Sequence, residues 1–176
     1  MKNKEAAQKA YEKAIEYLLA HLTLSPSDHR ARWLIGNTDI GMGEYIKGFM
    51  YLKSAFDLDS TKIAYRFDLA EANLFIKNYP RALKLVNDNQ LKLIEKLYSK
   101  SYYAVALYIR SMAKLMTNQQ ATSELERLDK LAGSNQKFVV WDFQQVKDWI
   151  AQQNLNRVQT AGIAKLMGNM NKLFKP

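Results

Sequence analysis

The 176-residue chain holds two histidines, His21 and His29, and no cysteine. Without cysteine, disulfides, thiol nucleophiles and Cys-ligated zinc are excluded. A metal site built on histidine wants a second ligand at helical or turn spacing, as in HExxH, and neither histidine has one. His21 falls within a helical pattern and is predicted to pack. His29 follows Asp28 at a helix start, where capping accounts for both residues. Carboxylate pairs can do acid–base chemistry, and two are present, Asp57 with Asp59 and Glu124 with Glu126. Both lie on or beside helices among basic residues, so solvated faces are expected. The segment GNTDIGMGE lacks the lysine and the preceding strand of a phosphate-cradling loop. No catalytic constellation emerges. The expectation is a chain that is not an enzyme and needs neither metal nor cofactor.

The elements that carry these residues follow from composition. Hydrophobic residues make up 48% and charged residues 24%, an ordinary globular balance. Seven glycines and three prolines leave little room for long linkers. No run of 18 apolar residues exists, so no segment is expected to span a membrane. The N-terminal MKNKEAAQKAYEKAIEYLL lacks the apolar core and cleavage site of a signal peptide. A cytoplasmic location is the default, and a soluble piece of a larger or exported protein fits equally. The net charge is +9. Residues 155–176 carry Arg157, Lys165, Lys172 and Lys175 and no acid, so the tail is basic and the body mixed.

Shifting the sequence against itself by 34 residues brings like onto like. Tyr11, Tyr45 and Tyr79 align. So do Ala14, Gly48 and Ala82, then Ile15, Phe49 and Leu83, then Leu18, Leu52 and Val86. Gly36 falls on Ala70, Trp33 on Phe67, Ile40 on Leu74. The position of His21 becomes Ala55. SPSDHRARWLIGNTDIG reads as a turn, a cap at Ser27 or Asp28, and a helix ended by Gly41 or Gly43. GEYIKGFMYLKSAFDLD is a second helix and TKIAYRFDLAEANLFIKN a third. In NYPRALKLV, Asn78 is placed to cap, and Pro80 suits a first turn. SYYAVALYIRSMAKLM and TSELERLDKLAG form a further pair. Val139, Phe143, Val146 and Ile150 share one helical face. The last stretch, with Gly162 and Gly168, is expected to be a weaker helix.

Ile35-Gly36, Leu69-Ala70, Ala14-x3-Leu18, Gly48-x3-Leu52, Ala82-x3-Val86 and Ala55 together resemble the tetratricopeptide repeat (TPR). The match runs over residues 11–90; Arg32, Arg66 and Ser60 depart from its Trp and Pro positions. The resemblance implies an all-α fold, a right-handed superhelix of antiparallel helix pairs with C-terminal capping helices. It implies a repeat domain over 1–154, with units near 1–28, 29–62 and 63–96 and a less regular 97–154. Residues 155–176 would follow as a basic amphipathic helix.

The resemblance also implies a function, a scaffold or adaptor whose concave wall holds a partner's peptide or helix. It places Arg30, Trp33, Asn37 and Ile40 on that wall from one unit, and Ala64, Phe67, Glu71 and Leu74 from the next. One subclass grips C-terminal carboxylates with Lys and Asn; here Trp33 and Asp68 stand at those places. The central portion is also similar to type III secretion chaperones of this class, which implies an apolar client. In the tail, Ile163, Leu166, Met170, Leu173 and Phe174 can form an apolar face ringed by Lys165, Lys172 and Lys175. Such a face suits an anionic membrane, a partner, a second copy of the chain as a homodimer, or the domain's own end. Nucleic acid is the rival partner. Arg30, Arg32, Arg66, Lys77, Arg81, Lys84, Arg110 and Lys114 would meet phosphates, and Tyr102 and Tyr103 would stack on bases.

Overall fold

The computed structural model describes residues 2–134, 137–138 and 143–174, and among them the regular elements are helices, with one isolated bridge between Phe138 and Phe174. By contact the chain divides into two compact units, Met1–Ile76 and Lys77–Pro176. The C-terminal helix belongs to the second unit, because it touches two helices there.

The first unit holds α1 (Lys2–Leu24), α2 (His29–Gly41), α3 (Tyr45–Leu58) and α4 (Ile63–Phe75). Each helix meets the next, and α2 also touches α4. The α2–α3 crossing is the tightest, and glycine makes it so. A methyl group at Gly48 would lie 2.8 Å from the Gly36 carbonyl oxygen and 2.7 Å from Ile40 Cγ1. One at Gly36 would lie 2.6 Å from Leu52 Cγ. Backbone therefore rests almost on backbone, which explains a glycine in mid-helix despite its cost in propensity. The chain turns from α2 to α3 through Gly43, at φ +83°. Tyr45 stacks on Phe75 at 4.9 Å, securing α3 to α4.

Helix α2 starts where expected. Asp28 accepts hydrogen bonds from the amides of Arg30 and Ala31. The Ala31 bond first, then His21, hold its carboxyl below the usual range. Here one expectation fails: His21 does not pack. It is exposed and pairs with Asp28 at 2.8 Å, a link between α1 and the start of α2. Asp28→Ala removes the cap and this link together. Its urea midpoint should fall, while Asp28→Asn should keep most of it; equal midpoints for all three chains would refute the cap.

The second unit holds α5 (Tyr79–Leu85), α6 (Asp88–Leu97), α7 (Lys100–Met116), α8 (Thr122–Gly133), α9 (Gln144–Ala151) and α10 (Arg157–Leu173). Its spine is α7, buried without a break from Tyr103 to Ala113 and touching α5, α6, α8 and α10. Pro80 lies in the first turn of α5, but Asn78 makes no side-chain cap bond. After seven residues α5 stops and α6 begins anew, capped by Asn87, which accepts from the Gln90 amide. In α9 the buried residues are Val146 and Trp149, with Phe143 just before them. Ile150 is only half-buried, and Val139 lies outside the described residues.

Helix α10 is unbroken despite Gly162 and Gly168. Asn156 and Gln159 form a reciprocal capping box at its start. Its apolar residues, Ile163, Leu166, Met170, Leu173 and Phe174, are all buried. Phe174 joins Phe138 and Phe143 at 5.4 and 5.7 Å, and Phe143 meets Tyr108 at 5.4 Å. Of the uses open to this face, packing against the chain's own second unit is the one seen, and the membrane, partner and second-copy uses lose these side chains. Val158, at the start of the helix, stays exposed. Among the described residues, no helix is long and apolar enough to cross a membrane.

Candidate functional site

The residues expected on a shared wall of α2 and α4 separate into two groups. Phe67 is 0% exposed, and Ile40 and Leu74 are buried as well. These three point into the first unit's core, so the large apolar part of the expected wall is interior. Arg30 is exposed, while Trp33, Asn37, Ala64 and Glu71 are half-buried.

Trp33 is the centre of what remains. Its ring stacks on Tyr65 with 5.5 Å between centroids and 27° between planes. Its indole Nε1 donates to Asp68 Oδ2 at 2.5 Å, and Asn37 Nδ2 donates to the same oxygen at 3.1 Å. Burial pushes the Asp68 carboxyl up, against the pull of those two bonds. On the far side, His29 Nδ1 lies 2.9 Å from the Tyr65 hydroxyl, and His29 Nε2 lies 3.8 Å from Asp59. The chain His29–Tyr65–Trp33–Asp68–Asn37 therefore joins α2 to α4. It holds an indole in one orientation at a surface that is still partly open. Tyr65 and the role of His29 are absent from the expected wall, and Asp68 figures there only at a place where one subclass carries asparagine. The signal for Asp68 was its place one turn past Ala64 on the same helix, the register already assigned to the wall.

The chemistry available here is recognition. A fixed aromatic plane offers apolar area at low entropic cost. Arg30, Glu71 and Asn37 add charge and hydrogen bonds around it. Among the described residues, no cluster of three His, Asp or Glu could hold a metal.

Several of the candidate nucleic-acid residues are committed to partners within their own unit. Arg110 is buried and bonded to the Val86 carbonyl at 2.9 Å, Asp88 at 2.6 Å and Glu124 at 3.1 Å. Lys114 reaches Glu124 at 2.6 Å. Arg32 donates to the Pro26 carbonyl, and Arg66 lies over the Phe56 ring at 5.2 Å. Tyr103 is buried and bonded to Arg127 at 3.1 Å. Glu124, expected on a solvated face, is 4% exposed within this network. Charge is nonetheless unevenly shared. Residues 1–76 hold 10 Lys and Arg against 10 Asp and Glu, and residues 77–176 hold 16 against 7. All of the net +9 lies in the second unit.

Paired helices meeting at small residues, with an aromatic wall between first helices, define a TPR-like repeat fold, and the fold is all-helical as expected. The crystal structure of MamA is similar to this chain at a TM-score of 0.58 and 16% identity, covering 96% of this chain and 94% of that one. No family model and no curated protein matches the chain.

Proposed function

We propose that this chain is a non-catalytic interaction scaffold, and that the face shared by α2 and α4 receives a peptide or helix of a partner protein. The observation that carries the reading is Trp33. Its indole is half-exposed yet fixed by Asp68 and Tyr65. An anchor already held in its bound orientation loses little entropy when a partner covers it. Around it, Arg30 and Glu71 give the face both signs of charge, and Ala64 keeps one side low. The TPR-like fold supports the class of function, since such folds generally bind proteins. The secretion-chaperone form of this reading needs a broad apolar wall for its client. Ile40, Phe67 and Leu74 are buried, which leaves that form without its main surface.

The test is a partner captured on the immobilised chain, purified, and titrated against it by calorimetry. Trp33→Ala should weaken binding by about 2 kcal/mol or more, as for a central aromatic anchor. Lys92→Ala, at an exposed position of the second unit, should leave that affinity unchanged. Equal affinity for Trp33→Ala and the native chain, at equal melting temperature, would sink the reading.

A further inference from the structure

The second unit contains a cavity of about 680 Å³ that neither the repeat pattern nor the α2–α4 face accounts for. It opens where the end of α7, the start of α8 and the start of α10 converge. Left-handed Asn118, at φ +57°, turns the chain out of α7. Two amides then fasten α10 to that turn. Asn156 Nδ2 donates to Asn118 Oδ1 at 2.8 Å, and Gln159 Nε2 donates to the Leu115 and Met116 carbonyls at 3.2 and 3.3 Å. Gly162 lets α10 lie against Leu115, where a methyl group would come within 2.5 Å of Leu115 Cδ2. The walls are thus set by the fold and do not need a ligand to form.

What faces the cavity is unusual in three respects. Its floor is apolar, from Leu115, Ala121 and Leu125, and continues onto Val158, which is 76% exposed. Its rim carries Gln119 and Gln120, exposed amides with no hydrogen-bond partner among the described residues. Each such amide offers a donor and an acceptor on one plane, the pairing a peptide backbone needs. Its single charge is Arg157, and no acid lines the cavity. Arg157 has no ion-pair partner among the described residues, and it is the first residue of α10. A cation there opposes the helix dipole, so the fold gains nothing from it.

We infer that this cavity binds the C-terminal end of a polypeptide whose last side chain is apolar. Arg157 takes the free carboxylate, in the two-pronged geometry that guanidinium and carboxylate share. Gln119 and Gln120 meet the last peptide groups, and the terminal side chain lies on Leu125 and Val158. The volume fits a ligand of that size, within the roughly 300–1,000 Å³ of known small-ligand sites. The excess of positive charge in the second unit favours an anionic end over a neutral one.

The experiment uses the full chain, isotopically labelled, and a set of short neutral peptides that differ only in their last residue. Peptides ending in an aliphatic or aromatic residue should shift backbone resonances of residues 115–122 and 157–162. Amidating the terminal carboxylate should weaken binding by about tenfold, the loss of one charged hydrogen-bonded contact. Arg157→Ala should do the same, and Val158→Asp should weaken the apolar-ended peptides. Both side chains are exposed, so melting temperatures should not move. The proposal fails if no free-acid peptide at millimolar concentration shifts those resonances, or if acid and amide bind alike. Octanoate binding as tightly as the best peptide would also overturn it, by assigning the cavity to a free fatty acid. None of these outcomes bears on Trp33, which lies in the other unit.

Discussion

A Gly48→Leu chain is expected to lose about 3 kcal/mol of stability, the upper end of what overpacking usually costs. At about 2–4 °C per kcal/mol for a chain of this length, the melting point should fall by roughly 6–12 °C. The size of the effect comes from what the new side chain would strike. One of the atoms within 3 Å of a Gly48 methyl is a backbone oxygen, that of Gly36, and it cannot rotate away. The others belong to Ile40, itself buried. Gly168 is the control. Nothing lies within 4 Å of a methyl there, so Gly168→Ala should stabilise α10 by up to about 1 kcal/mol through helix propensity. Calorimetry of the three chains decides the matter. A Gly48→Leu transition within a degree of native would mean that α2 and α3 do not cross at these glycines.

Arg110→Met is expected to cost about 3–5 kcal/mol, the range for removing one partner of a buried ion pair. Arg110 does three things at once. It satisfies the Val86 carbonyl where α5 ends, it binds Asp88 where α6 begins, and it neutralises Glu124. Without it, Glu124 stays buried with Lys114 as its remaining cation. The double substitution Arg110→Met with Glu124→Met should cost less than the sum of the two singles, since neither charge is then stranded. Urea unfolding of the four chains gives the coupling; strict additivity would deny the pair. Acid offers a second route. Burial pushes the Glu124 carboxyl up, but Lys114, the residue's own backbone amide and Arg110 together bring it below the usual value of 4.5. A carboxyl depressed on folding stabilises at pH above its unfolded value and loses that contribution as pH falls through its folded one. The second unit should therefore weaken below about pH 4.5, and Glu124→Gln should flatten that dependence.

The tight crossing of the first unit was legible because steric demand writes itself into residue size. Gly36, Gly48 and Ala55 are small in every register that makes sense of their neighbours, and all three are buried. Tyr45 was legible for the complementary reason, as a large residue placed to fill the next gap. Tyr11 shares its column but is 42% exposed. The residue at the place Phe75 holds for Tyr45 is, one repeat earlier, Gly41, which offers no ring to stack on. Ala14 and His21 are exposed in the same way, because α1 packs closely on α2 on one side only. Periodicity reports which face is apolar; it does not report whether anything covers it. The opposite error arose at Phe67. The wall register of α4 places Phe67 at the surface, whereas the fold draws it inward and leaves the wall to Trp33. The break between α5 and α6 and the burial of Glu124 belong together. Both depend on Arg110, 14 residues from Glu124 and 24 from Val86, and no local window joins those positions.

The indole of Trp33, held by Asp68 and Tyr65, has a spectroscopic consequence. The chain has three tryptophans: Trp33 at a partly open surface of the first unit, Trp149 in the interior of the second, and Trp141, which lies outside the described residues. Excited-state indole is sensitive to a carboxylate at its nitrogen and to water at its edge. In a Trp141→Phe chain, emission from Trp33 thus provides an unlabelled readout of whether the α2–α4 face is covered, with Trp149 as an internal reference that a ligand there leaves unchanged.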